Sequence, residues 1–298
     1  MRNSCFCIAE HKLLLAMPDN VEWRLLLPSF VPFECPFLPD EKAVCSLEIV
    51  DSMIHTDLSA ATFLVEVDRV LGERYRLYEQ EGSYIMDLQM QPGGEYYRMA
   101  CNISFTKGYA CIGGSGHESG EVLNIFLMML FAQAATLHRT VLMHASVVVK
   151  GGRGYAFLGE SGTGKSTHSA LWLRVFEDAE LLNDDNPAVR LMDDRHVYIY
   201  GTPWSGKTPC YKNRKVKLAA WVRLEQAPVN SFTHKSGIGA FVTLLPSCSA
   251  MRWNDRLYAA LCDLLEGCIR YVPVGHLQCR PDEEAVSVCY NELMKRSR

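Results

Sequence analysis

The stretch YAFLGESGTGKSTHSALW, Tyr155 to Trp172, decides how this chain is read. Its centre, GESGTGKS from Gly159 to Ser166, fits the phosphate-binding pattern G-x-x-x-x-G-K-[ST]. Such a loop turns several backbone N–H groups toward an anion at the start of a helix, while the strand before it fixes its position. Both flanks are present. Tyr155 to Leu158 is an apolar run of strand length, and KSTHSALWLRVF, opening at Lys165, carries Ala170, Leu171, Leu173 and Val175 as a face for a sheet. The glycines at 159, 162 and 164 permit positive φ and close approach, Lys165 can reach β- and γ-phosphates, and the Ser166 hydroxyl can ligate Mg2+. The candidate nucleotide-binding residues are therefore Gly159, Glu160, Ser161, Gly162, Thr163, Gly164, Lys165, Ser166 and Thr167.

A second stretch, GTPWSGKT from Gly201 to Thr208, fits the same pattern letter for letter. It follows the strand-like VYIY, but Pro203 removes an N–H within the loop and Trp204 is bulky where backbone should approach phosphate. Pro209 then follows Thr208 where a helix should be running. Context assigns the phosphates to the first stretch. Two readings of the second stay open. It is a loop at the mouth of the site, with Lys207 and Arg214 offering positive charge to a transferring group, or a surface turn with Trp204 packed against the body.

About eighteen residues beyond Ser166 comes LLNDDNP, with Asp184 and Asp185 directly after the apolar Leu181 and Leu182. Carboxylates at the end of a buried strand beside a phosphate loop suit metal-dependent phosphoryl transfer, one holding Mg2+ and one accepting a proton from an attacking hydroxyl. Taken alone, Asp-Asp reads as a helix cap or turn, as Asp193-Asp194 does.

Around this core the chain alternates apolar runs of strand length with helical segments. VLMHASVVV and GYAFL are joined by the turn GGRG, and 188–192, 197–200 and 216–224 read as strands. Helices are expected near 119–138, 237–245 and 255–266, with a final helix opening at Pro281-Asp282-Glu283-Glu284 and closing at Lys295-Arg296. This is α/β patterning. Residues 1 to 115 differ. FVPFECPFLPD, ATFLVEV, RYRLYEQEGSYIMDLQM and EYYRMACNISF read as strands and turns, with Pro92-Gly93-Gly94 as the clearest hairpin. Nothing catalytic stands out in that half, where His11 and His55 are isolated. The division expected is a β-rich domain over 1–115, for recognition or assembly, and a nucleotide-binding domain over 116–298.

Net charge is −4, from 30 basic and 34 acidic residues, and no basic run exceeds KNRKVK at Lys212 to Lys217, which argues against nucleic-acid binding. The twelve cysteines are scattered without a C-x-x-C pair, so reduced thiols are expected. Cys5-Phe6-Cys7 reads as two strand residues sharing a face rather than a metal site. Glu10, His11 and Lys12 interrupt the first apolar run before a secretory segment forms. VLNIFLMMLFAQAATL, from Val122 to Leu137, is short for a membrane span. A cytoplasmic protein without a membrane partner is expected.

HASVVVKGGRGYAFLGESGTGKSTHSALW followed by LLNDDNPAV resembles the HPr kinase and phosphoenolpyruvate carboxykinase superfamily, strongly over 141–192 and weakly to about 290. The resemblance implies a mixed-sheet P-loop kinase core, preceded here by the smaller β-rich N-terminal domain. It implies ATP and Mg2+ as cofactors and, as function, transfer to a hydroxyl of a protein or peptide acceptor. A small-molecule acceptor, or nucleotide binding without transfer, are the alternatives. Carried over by residue, it implies that Lys165 and Ser166 bind phosphate and metal, that Asp184 assists the metal and that Asp185 is the base, an order that is reversible. His144 matches the histidine that begins the strand before the loop, near the reacting phosphate, although it reads equally as a packed strand residue. Arg214 falls where those kinases have an arginine before a long apolar strand. Thr167 departs from them, standing where they have an acidic residue. Members of that kinase family assemble as homo-oligomers.

Overall fold

The computed structural model describes residues 1–51, 57–68, 73–114, 116–206 and 208–295. His55, Lys207 and Arg296 lie outside these described residues. The chain forms a mixed α/β structure with two mixed sheets, and its contacts divide it into two compact units, Met1–Ala135 and Thr136–Arg298.

The first unit is built on an eight-stranded sheet. Its strands are β1 (Arg2–Ile8), β2 (His11–Met17), β3 (Ala43–Ile49), β4 (Thr62–Asp68), β5 (Arg74–Gln80), β6 (Ser83–Gln89), β7 (Tyr96–Asn102) and β8 (Lys107–Cys111), in the order β1-β2-β3-β8-β7-β6-β5-β4. Period-two alternation is plain in β2, where His11, Leu13, Leu15 and Met17 are buried and the residues between them are half-exposed. The hairpin expected at Pro92 to Gly94 joins β6 to β7, with Gln89 opposite Tyr96. FVPFECPFLPD, expected to contribute to the strands and turns of this half, forms no strand. Its first residues belong to a 3-10 helix, Pro28–Phe33, and most of the rest is irregular, because its three prolines at 32, 36 and 39 remove donors a ladder needs.

A four-residue helix α1 (Trp23–Leu26) and a long helix α2 (His117–Thr136) complete this unit. By length and composition α2 could cross a membrane, but 72% of its apolar window is buried within the protein. It packs on the first sheet, with Phe131 set 6.4 Å from the His11 ring and Glu118 bonded to the Tyr97 hydroxyl. The compact first unit therefore runs to Ala135, past the 115/116 division expected from the sequence.

The second unit begins with β9 (Thr140–Leu142), β10 (Ala145–Lys150), β11 (Arg153–Leu158), α3 (Lys165–Val175), β12 (Glu180–Asp185), β13 (Ala188–Leu191) and β14 (Val197–Tyr200). The twelve-residue β15 (Lys215–Gln226) follows, then β16 (Ser231–Lys235), α4 (Gly237–Leu244), α5 (Asp255–Ile269), β17 (Val274–Cys279) and α6 (Glu283–Lys295). The sheet runs β12-β10-β11-β15-β14-β13-β9, and β17 pairs with the far half of β15 and with β16. Alternation along β11 sorts its side chains to two layers. Tyr155 and Phe157 pack with Leu171 and Trp172 of α3 and Val286 and Cys289 of α6, whereas Ala156 and Leu158 face Leu244 of α4 and Leu261 and Leu264 of α5. Helices thus cover both faces of the sheet, and burial on both faces explains why the strands read as unbroken apolar runs.

Trp172 sits at the centre of one layer, fully buried, and its indole N–H donates to His168 Nε2 at 3.0 Å. The His168 ring also meets Phe157 edge-on at 4.7 Å. Burial pushes this imidazole down from 6.5 to about 4, since charging it among these rings forfeits its hydration. The unfolded chain takes up that proton near the ordinary value and the folded chain does not. Stability therefore falls as pH drops from about 6.5 toward 4, by about 3 kcal/mol at the end of that window. Urea midpoints measured across it should show the fall, and His168→Gln, which cannot titrate, should flatten it.

Candidate functional site

The register of β10 gathers the candidate residues. Ala145, its first residue, lies opposite Leu158 of β11 on one side and Asp185 of β12 on the other. Strands β11 and β12 flank β10 and both run antiparallel to it, so their carboxyl ends share one edge of the sheet. His144, Gly159 and Asp185 consequently emerge together, with β11 and β12 roughly 10 Å apart. Crevices at the carboxyl ends of strands are where open α/β sheets place their ligands.

From Gly159 the chain passes through a loop to Gly164, which is in the left-handed region at φ 103° and forms the N-cap of α3 without a side-chain cap. Gly162, at φ 82°, is left-handed as well, and any other L-residue would be strained at either position. By helix geometry the first amides of α3 have no intrahelical acceptor. Thr163 closes the loop on itself, its hydroxyl donating to the Glu160 carbonyl at 2.6 Å. The Lys165 ammonium donates to the Gly159 carbonyl at 3.0 Å and the Glu160 carbonyl at 3.1 Å. Burial lowers the Lys165 pKa, the nearby Asp185 and Asp184 carboxylates oppose that shift, and Arg223 adds to it.

Helix α3 turns Ser166 and Ser169, one turn apart, toward the strands. The Ser169 and Ser146 hydroxyls lie 2.7 Å apart, and the Ser166 hydroxyl donates to Asp184 Oδ1 at 3.0 Å. Asp184 is buried, opposite Ser146 in the ladder. Asp185 is more open, with a side chain 37% exposed. Its Oδ1 lies 3.3 Å from His144 Nε2 and its Oδ2 accepts from the Asn186 amide at 2.7 Å. The two aspartates, adjacent in sequence, therefore meet different surroundings.

The segment from Gly201 runs alongside these aspartates without opening a helix. Trp204 is buried, its carbonyl accepts the Asn186 N–H at 3.2 Å, and Gly206 donates to the Asp184 carbonyl at 2.9 Å. A Cβ at Gly206 would stand 2.6 Å from that carbonyl oxygen, so only glycine allows this approach. Features of both open readings occur together, a packed tryptophan and a backbone held at the aspartates. Lys207 falls outside the described residues.

Arg214 is not brought to this cluster. Its guanidinium pairs with Glu180, which also accepts from Lys212 at 2.8 Å, and hydrogen bonds from Lys212 and then Arg214 lower the Glu180 pKa. Glu180 begins β12 and Asp185 ends it, roughly 16 Å away at strand rise. A different arginine stands at the loop. Arg223 lies opposite Leu158 across the parallel pair of β11 and β15, and reaches 3.8 Å from Glu160 Oε1. Only the β11–β15 register places it there, so no local signal in the sequence marks it.

Asn183 was also missed. It is fully buried, and its Oδ1 accepts the N–H groups of Asp185 at 2.7 Å and Asn186 at 3.1 Å while its amide reaches the Thr202 hydroxyl at 3.2 Å. The signal available was its place in NDDNP, where an Asn before turn residues caps the backbone two and three positions on. Asn183→Ala takes the side-chain acceptor from the Asp185 N–H while the Asn186 N–H keeps the Trp204 carbonyl, and about 2 kcal/mol of stability should be lost in urea unfolding. A loss below about 1 kcal/mol would show that the Asp185 turn holds without it.

An open cavity of about 550 Å³ adjoins the loop, lined by Gly162, Gly164, Thr167, Leu224, Pro228 and Arg280 among others. Among the described residues, no cluster of three or more His, Cys, Asp or Glu side chains is placed to hold a metal ion.

No protein-family model matches this chain, and no curated protein matches it. Among solved structures, the Hpr(Ser) kinase/phosphatase from Coxiella burnetii aligns with 53% of this chain and 99% of its own length, at 12% sequence identity and a TM-score of 0.31.

Proposed function

We propose that this chain is an ATP- and Mg2+-dependent kinase that phosphorylates a Ser or Thr hydroxyl of a protein or peptide. The observation that carries the reading is the convergence, at one sheet edge, of an uncapped helix start, Lys165, the Ser166–Asp184 pair and the His144–Asp185 pair. The donor set fits the cofactors. Mg2+ is commonly held by one or two protein oxygens together with phosphate oxygens and water, and Ser166 with Asp184 supplies such oxygens. The amides opening α3 and the Lys165 ammonium suit the phosphates, and the adjoining 550 Å³ cavity has room for a nucleoside.

When bound, Mg2+-ATP supplies the transferable phosphoryl group and the charge that offsets its developing negative charge. The residues of this chain do the remainder. Asp184, buried and tied to Ser166, keeps the metal-side oxygens in place. Asp185 accepts the proton of the acceptor hydroxyl. His144 and Asn186 each engage one Asp185 oxygen and so aim the carboxylate, leaving lone pairs on both for that proton. Arg223 and Lys165 provide positive charge at the loop.

The test is transfer of labelled γ-phosphate from ATP in the presence of Mg2+ and dephosphorylated cell protein. Label on a polypeptide, at serine or threonine, is expected. Label on small molecules alone would move the acceptor to a small hydroxylated compound, and nucleotide binding without transfer would make this a nucleotide-binding regulatory protein.

A further inference from the structure

Away from that site, a group of nucleophilic side chains lies in the first unit. There β1 meets the segment after the 3-10 helix: Phe6 bridges Glu34 in antiparallel fashion, and the Cys35 N–H donates to the Cys5 carbonyl at 2.9 Å. Cys5 and Cys35 are thus opposed, with sulfurs 3.6 Å apart. Opposed residues of an antiparallel ladder have Cα atoms roughly 4.5–5.5 Å apart, within the span a disulfide bridges. Side-chain rotation can therefore close the sulfurs to about 2.05 Å with the backbone in place.

Lys12 of β2 completes the group. Its ammonium donates to Cys35 Sγ at 3.4 Å and to the Pro36 carbonyl at 3.1 Å, and lies 3.4 Å from Glu41. Negative charge carried by this sulfur during exchange therefore has a cation in contact with it. Cys5 is buried, and burial first and the neighbouring Cys35 second push its thiol up to about 12 against the opposing charge of Lys12. Both cysteines border an open cavity of about 600 Å³ that Arg2, Phe37 and Lys107 also line, so a small reagent has access.

We propose that Cys5 and Cys35 form a reversible thiol–disulfide site, with Cys35 as the attacking sulfur, Lys12 as the cation held against it, Cys5 as the resolving thiol, and a low-molecular-weight disulfide as oxidant. Cys35 Sγ attacks one sulfur of the oxidant, whose S–S bond breaks to release one thiolate and leave a mixed disulfide on Cys35. Cys5 Sγ then attacks Cys35 Sγ and expels the second thiolate. The protons of the two cysteines end on the two departing thiols, so the protein loses two hydrogens and the oxidant is reduced to two thiols.

The test uses the reduced full chain and glutathione disulfide, with acid quenching, alkylation of remaining thiols and peptide mapping by mass spectrometry. Cys5–Cys35 should be the first intramolecular disulfide formed. Cys5→Ser should stop at a glutathione adduct on Cys35, and Cys35→Ala should form neither adduct nor crosslink at these positions. Lys12→Met should slow oxidation by roughly tenfold and Lys12→Arg should restore most of the rate. Circular dichroism of Lys12→Met, matched to wild type, shows that the rate change is not unfolding. A first crosslink involving Cys7 or any other cysteine, an adduct forming first on Cys5, or wild-type rates in Lys12→Met would overturn the proposal.

Discussion

Replacing Asp185 by Asn should lower phosphoryl transfer by on the order of a thousandfold while Mg2+-nucleotide affinity changes by less than about threefold. Asn retains the shape of the carboxylate and can still contact His144, but it cannot accept a proton. The asymmetry between the two aspartates makes the prediction specific. Asp184 is buried against Ser166, so Asp184→Asn should weaken the Mg2+ dependence of binding, whereas Asp185 stands 37% exposed beside His144. Single-turnover transfer assays and calorimetry on both variants separate the roles. Full transfer by Asp185→Asn would remove it as base, and a loss of Mg2+-dependent binding there but not in Asp184→Asn would exchange the two roles.

Lys165→Ala should weaken binding of ATP, ADP and pyrophosphate by on the order of a hundredfold, since it deletes the charged donor opening α3. The ammonium already lies against the Gly159 and Glu160 carbonyls, at 3.0 and 3.1 Å, so it stands over the loop in the structure itself. Calorimetry with and without Mg2+ measures this directly. Unchanged affinity would place the phosphates elsewhere, and the second G-x-x-x-x-G-K-T segment would then be the site to vary. Arg214→Ala, by contrast, breaks only a partly exposed pair with Glu180 and should leave both binding and turnover close to wild type.

The strand, loop and helix around Gly159 were legible because each signal is local. An apolar run, two glycines whose left-handed backbone other residues resist, and a helix-forming segment are adjacent in the chain, and their conformations depend little on distant partners. The proline-rich stretch near residue 30 misled for a related reason: its apolar aromatics suggest a strand, while its missing N–H donors prevent one. Helices α4, α5 and α6 likewise lie close to where periodicity and charged ends place them. β17 was not read from the sequence, since VGHLQC becomes a strand only by pairing with the far half of β15.

The site divides along the same line. By itself the sequence determined the loop, the helix that opens at Lys165, and the pair of carboxylates ending a short apolar strand. The tertiary structure alone decided that His144 meets Asp185, because the register of β10 between two flanking strands sets that encounter. It also decided that Arg223, not Arg214, stands at the loop, and that the two matches to one phosphate pattern lie in different surroundings. The first precedes a helix whose opening amides need an acceptor. In the second, the Gly201, Trp204 and Gly206 N–H groups already donate within the protein, to the Arg214 carbonyl, the Thr202 hydroxyl and the Asp184 carbonyl.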